Sequence, residues 1–200
     1  MSSKRGWFPW IVAGVLAVVP AFAEAQQSVK LSALLTTFLA DANVKTKGLP
    51  WTTGASLPVK WQSPKPVAAV AYLQQQGFTL SREGTARVAV GAEQFDATVQ
   101  VLGNDAGIQQ VTIGWNQLSG PFDAAARSLV ADDIVLEPLK CSPEKEGASY
   151  GNLVHVVKAP GKTASALWES WNCAHDGCGY ALTILYRKSA VAAIECASGS

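Results

Sequence analysis

FDATVQVLGNDAGIQQVTIGW, residues 95–115, decides how the chain is read. In its first half Phe95, Ala97, Val99 and Val101 alternate with Asp96, Thr98 and Gln100. In its second half Val111, Ile113 and Trp115 fall on every second position. A period of two puts successive side chains on opposite faces of a half-buried strand. The segment between the halves, Gly103-Asn104-Asp105-Ala106-Gly107, is made largely of residues that tolerate a positive φ. The stretch therefore predicts an antiparallel hairpin with one apolar and one polar face.

Working outward, Ala86–Val90 predicts a strand before this hairpin, and Gly120-Pro121 breaks the sheet after it. Ile134–Leu139, Leu153–Lys158, Ala164–Trp171, Tyr180–Arg187 and Val191–Cys196 predict further strands. The connections between them are short, which implies an antiparallel meander. Three stretches carry helical spacing instead. In Ser28–Ala42, Leu31, Leu34, Leu35, Phe38 and Leu39 form one apolar stripe, with Ser28 as N-cap. Pro66–Gln76 places a proline in the first turn and Gly77 just past the end. Phe122–Ala131 sets Phe122, Ala125, Ala126 and Leu129 on one side. The expected fold is α+β, antiparallel meanders with about three helices and a disulfide-stapled C-terminal half. Between the first two helices, residues 48–66 are rich in proline and glycine and exclude a long regular element. Trp51 and Trp61 in that segment read as pins holding it to the core, with ligand stacking as the alternative.

Residues 1–25 read as a secretory signal peptide. Lys4 and Arg5 precede an apolar run from Trp7 to Val19, and Ala21-Phe22-Ala23 or Ala23-Glu24-Ala25 supplies a small-x-small cleavage site. The run is shorter than the roughly 18 residues of a membrane span. Residues 26–200 then form a single domain, or two lobes over 26–118 and 119–200. Without Lys4, Arg5 and Glu24 the formal charge falls from +1 to zero. A neutral chain offers no electrostatic footprint for nucleic acid or anionic lipid. The expected location is the periplasm or the exterior.

Four cysteines in an exported chain imply two disulfides. Cys173 and Cys178 lie across one short turn and pair naturally, leaving Cys141 with Cys196. Cys141–Cys173 with Cys178–Cys196 is the alternative. The long loop closed by Cys141–Cys196 is worth about 3–4 kcal/mol in the chain-entropy model.

Familiar catalytic signatures fail on context. Gly147-Ala148-Ser149-Tyr150-Gly151 matches the nucleophile elbow G-x-S-x-G, but a polar segment precedes it and a strand follows, where the elbow needs a strand and then a helix. Gly161-Lys162-Thr163 ends like a phosphate-binding loop, yet Val156 stands where the first glycine belongs. Only His155 and His175 are available as histidine ligands, too few for a zinc site once the cysteines are bridged. The spacing of Cys173 and Cys178 is not that of a redox pair. His175, Asp176, Glu169 and Glu195 are the residues from which a secreted hydrolase would have to be assembled. No metal and no cofactor are expected.

The candidate binding residues are His175 and Asp176, exposed on the ring closed by Cys173 and Cys178, with Trp168 and Trp171 beside it. A rigid ring loses little entropy when it enters a partner's cleft. The run Cys173-Ala174-His175-Asp176-Gly177-Cys178 resembles the cysteine-bracketed His-Asp loop of periplasmic inhibitors of vertebrate-type lysozyme. The resemblance covers these six residues, and Gly177 intervenes where that family's His-Asp pair abuts the second cysteine. It implies an inhibitor-like protein on an α+β scaffold that uses this loop. The broader expectation is an exported binding or accessory protein of the cell envelope whose partner is another envelope or secreted protein.

Overall fold

Strand periodicity carries further along this chain than helical periodicity does. The computed structural model describes residues 27–40, 48–67, 73, 76–117, 129, 132–138, 150–163, 165–174 and 177–186. Among them are ten strands and one short helix: β1 (Ser28–Lys30), α1 (Leu31–Phe38), β2 (Lys60–Trp61), β3 (Lys65–Pro66), β4 (Leu80–Val90), β5 (Glu93–Asn104), β6 (Gly107–Gln117), β7 (Val135–Pro138), β8 (Tyr150–Lys158), β9 (Ser165–Ala174) and β10 (Gly177–Leu185). All ten strands belong to one sheet, in the order β1-β4-β5-β6-β10-β9-β8-β7, with β2 and β3 also on β4. Only β1 runs parallel to its neighbour; the other pairings are antiparallel.

The α+β expectation with about three helices is therefore corrected to a predominantly β fold. Its first helix is cut at both ends. Ser28–Lys30 pairs with Arg87–Ala89 of β4, so the segment begins as an edge strand with Val29 buried. At the other end Leu39 turns to extended backbone. The apolar stripe survives only over α1, where Leu31, Leu34, Leu35 and Phe38 are fully buried. The second expected helix starts as strand, because Lys65 and Pro66 pair with Ser81 and Leu80. Val67 continues it by donating its backbone N–H to the Thr79 carbonyl; Leu73 is helical, and residues 68–72 and 74–75 lie outside the described residues. Of the third, only Leu129 is described; it is helical and fully buried. The signal segment, Cys141, Cys196 and the strand expected at Val191–Cys196 also lie outside the described residues.

Two meanders make the sheet, β4-β5-β6 and β7-β8-β9-β10, and the pairing of β6 with β10 joins them. On one face the rungs are apolar across the joint: Val99–Ile113–Leu182 and Val101–Val111–Ile184–Leu167, all fully buried. α1 packs on this face in the same cluster. The hydroxyl of Tyr186 donates to the carbonyl of Phe38, closing the last turn of α1. Burial raises the Tyr186 phenol well above its ordinary range, so it remains a donor at any physiological pH.

β4 begins six residues before the expected strand because its first half hides its alternation. Arg82 and Gly84 occupy core-facing positions where apolar residues are expected. The Arg82 guanidinium lies 4.1 Å from the centre of the Trp61 ring. It donates to the carbonyls of Trp51 (2.7 Å) and Thr53 (2.9 Å). A Cβ on Gly84 would fall 2.6 Å from Val59 Cγ1 and 2.7 Å from Trp61 Cε3, so only glycine lets this segment settle on the strand. Trp61 also meets Phe38 edge-on at 6.4 Å, and Trp51 Nε1 donates to the Asn104 carbonyl at 2.9 Å. The two tryptophans thus act as pins. Arg82→Ala is expected to lower unfolding stability by about 2–4 kcal/mol, since it leaves two carbonyls unpaired and one ring uncovered. Arg82→Lys should recover less than half of that, because an ammonium cannot fork to two carbonyls while stacking. Urea unfolding of the three proteins measures both effects.

Candidate functional site

The opposite face of the sheet is open at one end of β5, β6, β10 and β9, around Asp96, Thr98, Asn116 and Asn172, whereas Leu102, Thr183, Leu185 and Ala166 further along it are buried. A hollow of about 450 Å³ lies on it. Its floor is Gly114, Gly179 and Ala181, on the two central strands. Its walls are Asp96 and Thr98 on β5, and Ser170 and Asn172 on β9. Asn116 stands at one end, in register with Gly179, which pairs on its other side with Asn172. Small residues on the inner strands and longer ones on the outer strands make a trough parallel to the strands. Its walls stand about 14 Å apart, three strand spacings. Beyond Gly114 and Ala181 the hollow ends at the rung of Thr112 and buried Thr183, whose hydroxyls lie 3.0 Å apart.

Why the floor is low is a question about two glycines. Elsewhere in the sheet glycine is forced by packing, as at Gly84, or by the close approach of Gly103 to the Gly107 carbonyl. Neither reason holds here. Neither Gly114 nor Gly179 has a positive φ. Among the described residues, a Cβ on Gly114 would meet only the Tyr180 carbonyl, at 3.5 Å. On Gly179 it would meet a side-chain atom, Asn116 Oδ1, at 3.4 Å and the Asn172 carbonyl at 3.8 Å. Glycine inside a strand costs about 0.5–1 kcal/mol relative to alanine and often marks a place where something approaches the backbone. Among the described residues, nothing in the trough returns that cost to the fold.

The expected site residues divide over the molecule. The disulfide Cys173–Cys178 is present and joins directly paired residues of β9 and β10, with Cα atoms 4.0 Å apart. His175 and Asp176 lie outside the described residues. Trp168 and Trp171 stand on opposite faces of β9, three residues apart on a strand of period two. Trp171 packs against the core, in register with Tyr180. Trp168 is half-buried on the trough face, two residues along β9 from Ser170. The staple adjoins the trough directly, since Asn172 and Gly179 are the next rung after Cys173 and Cys178. The trough residues had no role in the reading of the sequence. Their signal was the polar face of residues 95–115, together with a glycine in each of two strand patterns.

Of the residues proposed for a hydrolase, Glu169 is buried on the core face with Oε2 2.7 Å from His155 Nε2. His155 is buried too, and its Nδ1 has no hydrogen-bond partner among the described residues. An imidazole held by a carboxylate is the base half of a catalytic triad, but the nucleophile must reach the other ring nitrogen. Here that nitrogen is enclosed and unmet, on the far side of the sheet from the trough. The chain matches no protein-family model, no curated protein and no solved structure.

The His155–Glu169 pair makes a structural prediction. Glu169→Ala should cost about 3–5 kcal/mol by stranding a buried polar ring, whereas His155→Leu with Glu169→Met should stay close to the parent. A double-mutant cycle from urea midpoints reads the difference. Additive losses would show that the two side chains act separately.

Proposed function

We propose that this is an exported binding or accessory protein of the cell envelope, which acts without a cofactor by holding a ligand or partner in the sheet trough. The carrying observation is the pair of glycines, Gly114 and Gly179, in extended backbone with room for a side chain. They keep open the floor between the walls of β5 and β9. Export is supported by the segment from Lys4 to Ala25 and by the Cys173–Cys178 bridge, which suits an oxidising compartment. A narrower form of the reading has the stapled turn with His175 and Asp176 enter a partner's cleft, supported by the rigidity the cross-strand bridge gives that turn.

The two glycines allow a test in which folding and binding move apart. Gly114→Val and Gly179→Thr should leave the urea midpoint unchanged or raise stability by about 0.5–1 kcal/mol, as expected for β-branched residues in central strands. Both should abolish capture of whatever the mature, oxidised parent retains from periplasmic extract. Loss of stability in both variants would return the glycines to a structural role. Capture that survives both but fails in His175→Ala would move the contact to the stapled turn.

A further inference from the structure

We propose that the trough takes a neutral oligosaccharide, a reading that rests on the trough being the binding surface. Thr98, Ser170, Asn116 and Asn172 each offer a side chain that can both donate and accept hydrogen bonds. They stand on both sides of a floor whose glycines bring the backbone close to the ligand. This is the complement of a molecule covered in hydroxyls, each also both donor and acceptor.

Charge excludes the main competitors. Among the described residues of β5, β6, β9 and β10, the one charged side chain on this face is Asp96. Its Oδ1 is already 2.9 Å from Arg87 Nη1 on β4. An anionic ligand therefore finds no free cation over the floor, and a cationic one finds a carboxylate whose charge is matched. Phosphate, uronate and acidic peptide ligands are disfavoured on that ground. Trp168 adds the second element of sugar recognition. It follows Ser170 on the same face of β9, just beyond the residues that line the hollow, in register with buried Thr183 on one side and buried Val154 on the other. An aromatic ring at the end of a row of hydroxyls and amides suits the apolar C–H face of a pyranose, with the polar rim directed at its hydroxyls. Asn116 and Asn172 flank Gly179 from strands two spacings apart, about 9.5 Å, which leaves room for one ring between them.

The test is an amide chemical-shift titration of the mature, disulfide-bonded protein with cellotriose, chitotriose and maltotriose, and in parallel with trigalacturonate. The expected result is saturable shifts at Gly114 and Gly179 with at least one neutral trisaccharide. Affinity should weaken tenfold or more in Asn172→Ala and in Trp168→Ala, with trigalacturonate inert. Asn172 is exposed, so its variant keeps the test valid even where Trp168→Ala disturbs packing. Equal shifts with trigalacturonate would overturn the neutral class. No shift with any trisaccharide, while Gly114→Val still abolishes capture from extract, would overturn the carbohydrate and leave the trough as a protein-binding surface. No shift together with capture indifferent to Gly114→Val would overturn both readings.

Discussion

The register between β6 and β10 is the constraint on which the rest of the structure depends. Among the described residues it is the one strand pairing that joins the two meanders, and every rung across it has two consequences. On the core face it sets Val111 against Ile184, Ile113 against Leu182 and Trp115 against Tyr180. On the other face it sets Thr112 against Thr183, Gly114 against Ala181 and Asn116 against Gly179. A slip of one residue would carry the whole apolar set of one strand to the solvent side. Burial of those side chains, at about 25 cal/mol per Å² of apolar surface, is what holds the register. The trough is thus assembled from two hairpins by a force that acts on the opposite side of the sheet.

This arrangement explains why the chain is legible in parts. The hairpin at residues 95–115 is plain because both its strands alternate cleanly and its turn residues fit, and the structure extends it by only two residues at each end. The meander of the C-terminal half and the short bridge between Cys173 and Cys178 are equally local facts. What the sequence hides is tertiary. Arg82 and Gly84 interrupt an apolar alternation because Trp61 and Val59 supply the missing packing from another segment. Ser28–Lys30 carries helical spacing yet pairs with β4, since the edge of a long strand offers hydrogen bonds that no local propensity can outweigh. The first lapse hides the start of β4 and the second lengthens the first expected helix at the expense of β1, so the strand content is read too low.

The site was half legible for the same reason. The cysteines and tryptophans of the C-terminal half mark the β9–β10 hairpin, whose Ser170, Asn172 and Gly179 line the trough. Proximity in sequence also groups Trp168 with Trp171, which the period of a strand sends to opposite faces. The residues that shape the hollow are small and chemically quiet, so a search for reactive groups passes over them. They become visible only when one asks what each glycine is for, and that needs the distances to its neighbours.

A sheet that places glycines in its two central strands must recover the lost packing, and the sequence shows where it does so. Gly114 is followed by Trp115 and Gly179 by Tyr180, so the side chains immediately behind the trough floor are large aromatics. Phe95, Trp115 and Tyr180 stack across three neighbouring strands, with centroid separations of 6.4 and 6.1 Å. Such pairs contribute about 0.5–1.5 kcal/mol each beyond the area they bury. Two of them are of the size needed to offset two strand glycines at about 0.5–1 kcal/mol each. The opening on one face and the aromatic row on the other are therefore parts of one device. The sheet can stay bare over the trough floor because it is braced from behind at the neighbouring rungs.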